Sequence, residues 1–396
     1  MILKPGKAPD SVASYRPISL IPILGKVLES LFQNRLMLFV ESENLIPNHQ
    51  FGFRKKHGTI EQVHRLVDTI HQTFENGLYC TAAFLDVSQA FDKVWHDGLL
   101  FKLRNMLPIN YFLFLQSYIR NRSYYVRENN DLSPVYVTKA GVPQGSVLGP
   151  ILYLLFTSDL PLSDGVTIGT FADDTAALSV NADPKIATHS LQKCINKVSS
   201  WLQKWRIKAN ESKSIQVTFT LRRDSCPPIT LNNTELPQAN EVKYLGIHLD
   251  KRLTWKKHIQ TKRKALEMQL NKYKSLLNPR SPLSLENKLL IYKFIIKPIW
   301  TYGIQLWGTA SNSNIEILQR FQSKVLRKIT HSPWFVTNNR LHADLKIPTV
   351  KEEIHFRMLS YKSRIEIHPN PLAANLMSNM STFRRLRRRA PQDLLV

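Results

Sequence analysis

Two adjacent carboxylates, Asp173 and Asp174, stand where an apolar run over residues 166–170 gives way to another over 175–180. Apolar run, short polar break and apolar run together predict a β-hairpin with Phe171-Ala172-Asp173-Asp174 at its turn. Neighbours along a strand point to opposite faces, so one acid can lead into a site while the other supports it or reaches the same ion. Taken alone, the pair is more often a solvated turn than a metal site, because aspartate is a common turn residue. A third acid upstream alters that reading. Ala82-Ala83-Phe84-Leu85-Asp86-Val87 predicts a buried strand, 79–86, that runs out into a carboxylate. Ser88-Gln89-Ala90-Phe91-Asp92 then reads as a turn opening a helix over 91–103. Strand-end acids in one sheet can hold two hard divalent cations on oxygen ligands, the arrangement that catalyses in-line phosphoryl and nucleotidyl transfer.

Composition narrows the partners. At 396 residues and 43% apolar content, the chain can bury two or three cores. Its formal charge of +24 is spread along the sequence and concentrated in Arg384-Arg385-Leu386-Arg387-Arg388-Arg389. Such a balance points to nucleic acid over an anionic membrane, because no amphipathic or lipidation signal accompanies it. The arginine run also reads as a frayed terminus or a nuclear-import signal. Cys80, Cys194 and Cys226 are far apart, which argues against a disulfide framework or a zinc knuckle. No secretory leader is legible, and the longest apolar stretch, 147–156, is about half of the ~20 residues a bilayer span needs. An intracellular, non-membrane protein is expected.

The pattern is mixed α and β to about residue 250 and mostly helical beyond. Ile60, Val63, Val67 and Ile70 predict an amphipathic helix over 59–74, and Leu191, Ile195, Val198, Leu202 and Trp205 predict another. Further helices are expected over 27–40, 111–119 and 285–296, a hairpin around Asn129-Asn130-Asp131, and an alternating strand over 215–221. After Trp255 a helix carries Ile259, Leu266 and Leu270 on one face and Lys257, Lys262, Arg263 and Lys264 mostly elsewhere, which suits packing on one side and either phosphates or plain solvation on the other.

In order, these pieces resemble the reverse transcriptases of non-LTR retrotransposons, nearest the insect jockey-like elements. The resemblance covers roughly residues 4–334. Ser14-Tyr15-Arg16-Pro17-Ile18-Ser19-Leu20 and Asn48-His49-Gln50-Phe51-Gly52-Phe53-Arg54 resemble the fingers motifs. Phe84-Leu85-Asp86 with Ala90-Phe91-Asp92 resembles motif A, Gly141-Val142-Pro143-Gln144-Gly145-Ser146 motif B, and Phe171-Ala172-Asp173-Asp174 motif C. Residues 210–213 resemble motif D, and Tyr244-Leu245-Gly246-Ile247 the primer-grip hairpin.

The resemblance implies an α+β right-hand polymerase, with fingers at 1–78, palm at 79–250, a helical thumb and connection at 251–334, and a C-terminal segment at 335–396. It implies two Mg²⁺ ions, with Mn²⁺ an alternative, on Asp86, Asp173, Asp174 and the Val87 carbonyl. Phe91 would lie under the sugar and exclude a ribose hydroxyl, Gln144 and Gly145 would meet the incoming nucleotide, and Arg16 would clamp its triphosphate, with Lys4 and Lys7 as lesser candidates. Lys213 would protonate pyrophosphate. Tyr244, Leu245, Gly246, Lys262 and Arg263 would follow primer and template, and Asp92 would be structural, capping or pairing within its helix. RNA template, DNA primer and deoxynucleotide are the implied partners, together with another element-encoded protein, in cytoplasm and nucleus. No endonuclease or ribonuclease H pattern accompanies the motifs, and the fingers look truncated. A nucleic-acid-binding remnant is therefore the competing expectation, and a metal-dependent nuclease is a third that leaves Phe91 and Gln144 without a task.

Overall fold

A computed structural model describes residues 2–4, 6, 8–11, 14–128, 130–377 and 384–395. Lys7 and Asn129, named above, lie outside the described residues. Helices α1 (Ile23–Ser42) and α2 (Thr59–Glu75) lead into the central strand β1 (Tyr79–Leu85). Helices α3 (His96–Met106), α4 (Ile109–Ile119) and α5 (Gly149–Thr157) then precede the hairpin β2 (Val166–Phe171) and β3 (Asp174–Asn181). After α6 (Pro184–Lys204) come β4 (Ile215–Phe219) and the short β5 (Gln238–Ala239). The five strands form one sheet in the order β5-β4-β1-β3-β2, antiparallel except for β4 with β5.

Every residue of β1 is buried. Its period of two divides the strand between two cores: Cys80, Ala82 and Phe84 pack with Val63, Leu66, Val67 and Ile70 of α2. Ala83 and Leu85 pack on the other face with Leu152 of α5 and Leu191 and Ile195 of α6. Burial on both faces accounts for an uncharged strand sequence with small residues at its centre. Helix α6 starts at Pro184, ahead of the first residue of its apolar stripe, because Pro184 follows Asp183, whose carboxylate accepts from the Lys185 N–H at 2.7 Å.

The helix expected over 91–103 instead begins at His96. The Phe91 and Val94 carbonyls accept from the Val142 and Gly141 N–H groups, both at 2.8 Å, so long-range pairing replaces the first helical turn. Strand β1 stops at Leu85 because Asp86 turns to β4's side, its N–H on Ser214 Oγ at 3.1 Å. The helix expected over 285–296 widens into a π turn at Tyr292–Ile296 and continues to Thr301, since Pro298 has no N–H to give a regular turn. The 124–140 hairpin is built from pairs Ser123–Tyr124 with Tyr136–Val137 and Arg127–Glu128 with Asp131–Leu132.

Beyond the hairpin β6 (Glu241–Tyr244) and β7 (Ile247–Asp250), helix α7 (Lys256–Lys272) opens the helical part. The helices Asn312–Thr330 and Val350–Glu366 pack with it in the core that includes α2. Arg364 pairs with Glu61, His64 Nδ1 meets the Tyr361 hydroxyl at 3.0 Å, and Asn370 donates to the Asn48 carbonyl at 2.8 Å. The arginine run is not frayed where it is described. Arg385 donates to the Phe74 and Glu75 carbonyls at the end of α2, at 2.7 and 2.8 Å, and Arg384 makes a forked pair with Asp393. Among the described residues, no helix is long and apolar enough to cross a membrane.

Burial holds His64 and His258 down to about 3 and His49 and His71 down to about 4, from 6.5. A depressed folded value means that each favours the fold fully above pH 6.5 and loses that contribution as pH falls toward 3–4. For fully buried His64 the loss at pH 5 is on the order of 2 kcal/mol. Urea unfolding at pH 7.5 and 5.0 is expected to show a clearly lower midpoint at pH 5.0, a difference reduced in His64→Gln.

Candidate active site

The β2–β3 hairpin closes through the pair Phe171 and Asp174, leaving Ala172 and Asp173 as a two-residue turn. Ala172 alone of the two has positive φ, at +56°, as the first position of a type II′ turn requires. In β1 the last pair with β3 is Leu85 with Thr175, so one further step of register puts Asp86 level with Asp174. Asp86 is fixed through its backbone: its carbonyl accepts from Asn210 N–H at 2.8 Å. Val87 then bridges Ala209, with Ser88 N–H on the Lys208 carbonyl at 2.9 Å. That pattern makes Val87 a non-hydrogen-bonded partner, with its own carbonyl outside the ladder. Lys213 reaches over from the same segment, its Nζ 3.8 Å from Asp86 Oδ2.

The acids share one electrostatic environment. Burial, with Asp173 and Asp86 adding repulsion, pushes Asp174 up to about 6. Asp173 is also raised, by burial first and by Asp86, while Arg16 acts the other way. Among the described residues, no three His, Cys, Asp or Glu side chains form a ready-made metal cage. A divalent cation nevertheless fits: the donors are hard oxygens, their mutual repulsion is what a cation relieves, and Mg²⁺ is commonly held by one or two carboxylates plus substrate phosphates.

Beside the acids, half-buried Phe91 stacks on Tyr153 at 4.6 Å and 26°, with Phe53 edge-on at 5.8 Å. Gln144 donates to Asp92 Oδ1 at 2.7 Å. Asp92 is thus a partner of Gln144 across chain segments, not a residue of its own helix. Gly141 has φ +93° and would place a Cβ 2.8 Å from the Asp92 carbonyl, so no larger residue fits. Gly145 lies against Ser19, whose N–H donates to the Gln144 carbonyl at 2.8 Å. This packing brings the exposed Arg16, paired with Ile2, to the edge of the acid cluster.

Farther out, the β6–β7 turn has positive φ at Leu245 and Gly246, 45° and 79°. Tyr244 is buried beneath it, its hydroxyl within 3.4 Å of Gln62 Nε2. The Leu245 carbonyl accepts from the Tyr302 hydroxyl at 2.6 Å, and Lys262 lies 5.1 Å from the Tyr302 ring centroid. Arg263 is engaged inside the helical part, on Glu267 and over the Phe321 ring. Of the residues expected at primer and template, Gly246 is the exposed one, whereas Tyr244 and Arg263 hold the hairpin and α7 in place. Tyr153, Asn210 and Ser214 escaped the sequence reading as supports of the site. Tyr153 was hidden in the apolar run 147–156.

Residues 2–249 match the family described as reverse transcriptase (RNA-dependent DNA polymerase). The chain belongs to the reverse transcriptase family. All 396 residues align at 44% identity with the probable RNA-directed DNA polymerase from transposon X-element of Drosophila melanogaster, covering 44% of that protein. They also align at 41% identity with the RNA-directed DNA polymerase from mobile element jockey of Drosophila funebris, covering 45% of it. The chain thus spans less than half the length of these curated relatives. Among solved structures, apo telomerase from Candida tropicalis is similar at 12% identity and a TM-score of 0.43, over 89% of this chain and 60% of that one, too loose a likeness to carry argument.

As a member of the reverse transcriptase family, the chain has the α+β right-hand fold expected from its motifs, and the jockey-like resemblance is borne out. Reverse transcriptases normally use divalent metals, in keeping with the all-oxygen acid cluster at the end of β1 and β3.

Proposed function

We propose that this chain is an RNA-directed DNA polymerase that adds deoxynucleotides to a primer 3′-hydroxyl on an RNA template. The observation that carries the reading is the set of three carboxylates at one end of the sheet, two of them raised by burial and mutual repulsion. Asp86, Asp173, Asp174 and the Val87 carbonyl would hold Mg²⁺ or Mn²⁺, which when bound activates the hydroxyl and neutralises charge on the reacting phosphate. Arg16 presents a fork of donors to the triphosphate from the edge of the cluster. Gln144, fixed by Asp92, and Gly145 border the incoming nucleotide. Lys213, exposed and near Asp86, donates a proton to departing pyrophosphate. Residues 1–78 act as fingers, 79–250 as palm and 251–334 as thumb, with the exposed cations of α7 along the duplex backbone.

The test is incorporation by the purified chain on a primed RNA template with Mg²⁺ and deoxynucleotides. Incorporation supports the reading; duplex binding without incorporation sinks it in favour of a binding remnant.

Phe91 gives a specificity test. Its ring is backed by Tyr153, and by the resemblance it would lie under the sugar and fill the space a ribose 2′-hydroxyl would enter. Phe91→Val is expected to lower the deoxynucleotide-to-ribonucleotide ratio of kcat/KM by about 10–100-fold, since the exclusion is steric. An unchanged ratio would remove Phe91 from sugar selection.

A further inference from the structure

The nucleotidyl-transfer reading gives no task to Gln50, although it sits in a fingers-like motif and is 4% exposed. Its amide spans the backbone of Ala172. Oε1 accepts from the Ala172 and Gly52 N–H groups, each at 2.8 Å, and Nε2 donates to the Ala172 carbonyl at 3.3 Å. Only this orientation satisfies all three bonds, because exchanging oxygen and nitrogen would oppose donor to donor. The main chain beside it runs along β2, with Phe51 N–H on the Thr170 carbonyl at 2.9 Å and Thr170 N–H on the His49 carbonyl at 3.0 Å. Gly52 closes the other side: a Cβ there would lie 2.3 Å from the Ala172 nitrogen. Ala172 is thereby held at φ +56°, a conformation that an L-residue adopts only under constraint, immediately before Asp173.

We propose that Gln50 is a positioning residue for nucleotidyl transfer, its amide fixing the left-handed turn at Ala172 and hence the direction in which Asp173 and Asp174 present their carboxylates. The proposal rests on the polymerase reading for its catalytic half; the clamp itself does not. Gln50→Met keeps length and burial but loses all three hydrogen bonds. Hydrogen exchange over residues 171–175 is expected to rise at least about 10-fold, with the Phe51 amide near wild type and a cooperative urea transition retained at a midpoint lowered by the three buried bonds lost. On a primed RNA template, kcat is expected to fall about 10–100-fold with the nucleotide KM changed less than about threefold, because misplaced acids slow chemistry without weakening substrate binding. Gly52→Ala, pressing on Ala172 from the other side with Gln50 intact, is expected to give the same split.

Unchanged exchange over 171–175 in folded Gln50→Met would overturn the proposal. So would a loosened turn with undiminished kcat, or protection lost throughout the chain, which would make Gln50 a general structural residue. If the wild-type chain incorporates nothing, the polymerase reading fails by itself, and the exchange arm still decides the clamp.

Discussion

Asp173→Ala combined with Asp174→Ala is expected to reduce deoxynucleotide incorporation by at least about 10³-fold, while binding of template-primer duplex persists. The hairpin that carries these acids does not depend on them for its closure. Its ladder is made of main-chain pairs from Val166–Ser179 to Phe171–Asp174, and the turn is bound from outside by Gln50. The stability of the variant also has a sign. Burial and repulsion raise both acids above the ordinary carboxylate range, so at neutral pH their charges oppose folding. Removing them is expected to leave the thermal midpoint at or slightly above that of wild type. Incorporation on primed RNA, duplex binding and a thermal scan of the same preparations check the three statements. A midpoint lower by more than about 5 °C would mean that the acids hold the fold as well as the site.

Arg364→Ala is expected to cost about 2–3 kcal/mol of stability, at or just below the low end for breaking a buried ion pair because half of Arg364 is exposed. Glu61 is the reason for so large an effect. It is 1% exposed, its Oε1 has Arg364 as partner, and its Oε2 is buried without one among the described residues. Deleting the guanidinium leaves a carboxylate within the core that joins α2 to the helix Val350–Glu366. Adding Glu61→Leu is expected to recover much of the loss, since removing both charges is cheaper than stranding one. Urea midpoints of the single and double variants decide it, and a single-variant loss below about 0.5 kcal/mol would place the pair among surface bridges.

Local pattern carried most of the elements. The continuous burial of β1, the apolar stripes of α2 and α6 and the hairpin around Ala172 and Asp173 are set by residues close in sequence, so they could be read there. Long-range pairing limited the rest. Nothing near Phe91 announces that its carbonyl bonds to Val142, and so the following helix was expected five residues early. Asp92 resembled a helix acid until Gln144 was found across from it, and Arg263 resembled a phosphate contact until Phe321 and Glu267 were found beside it. Gln50 was legible as part of a motif but not as a ligand of the Ala172 backbone, because an amide's partners are decided by folding.

The arginines at the end of the chain alter what its formal charge means. Arg385 is occupied by the last carbonyls of α2, Arg384 by Asp393, Arg364 by Glu61 and Arg263 by Glu267. The steepness with which salt weakens binding to a polyanion counts the cations that reach phosphate and release counterions, not the sum of charges in the sequence. Long-range attraction, by contrast, responds to all of them. A duplex approaching this surface would be drawn in by the whole charge and held by the part of it that folding has not already engaged.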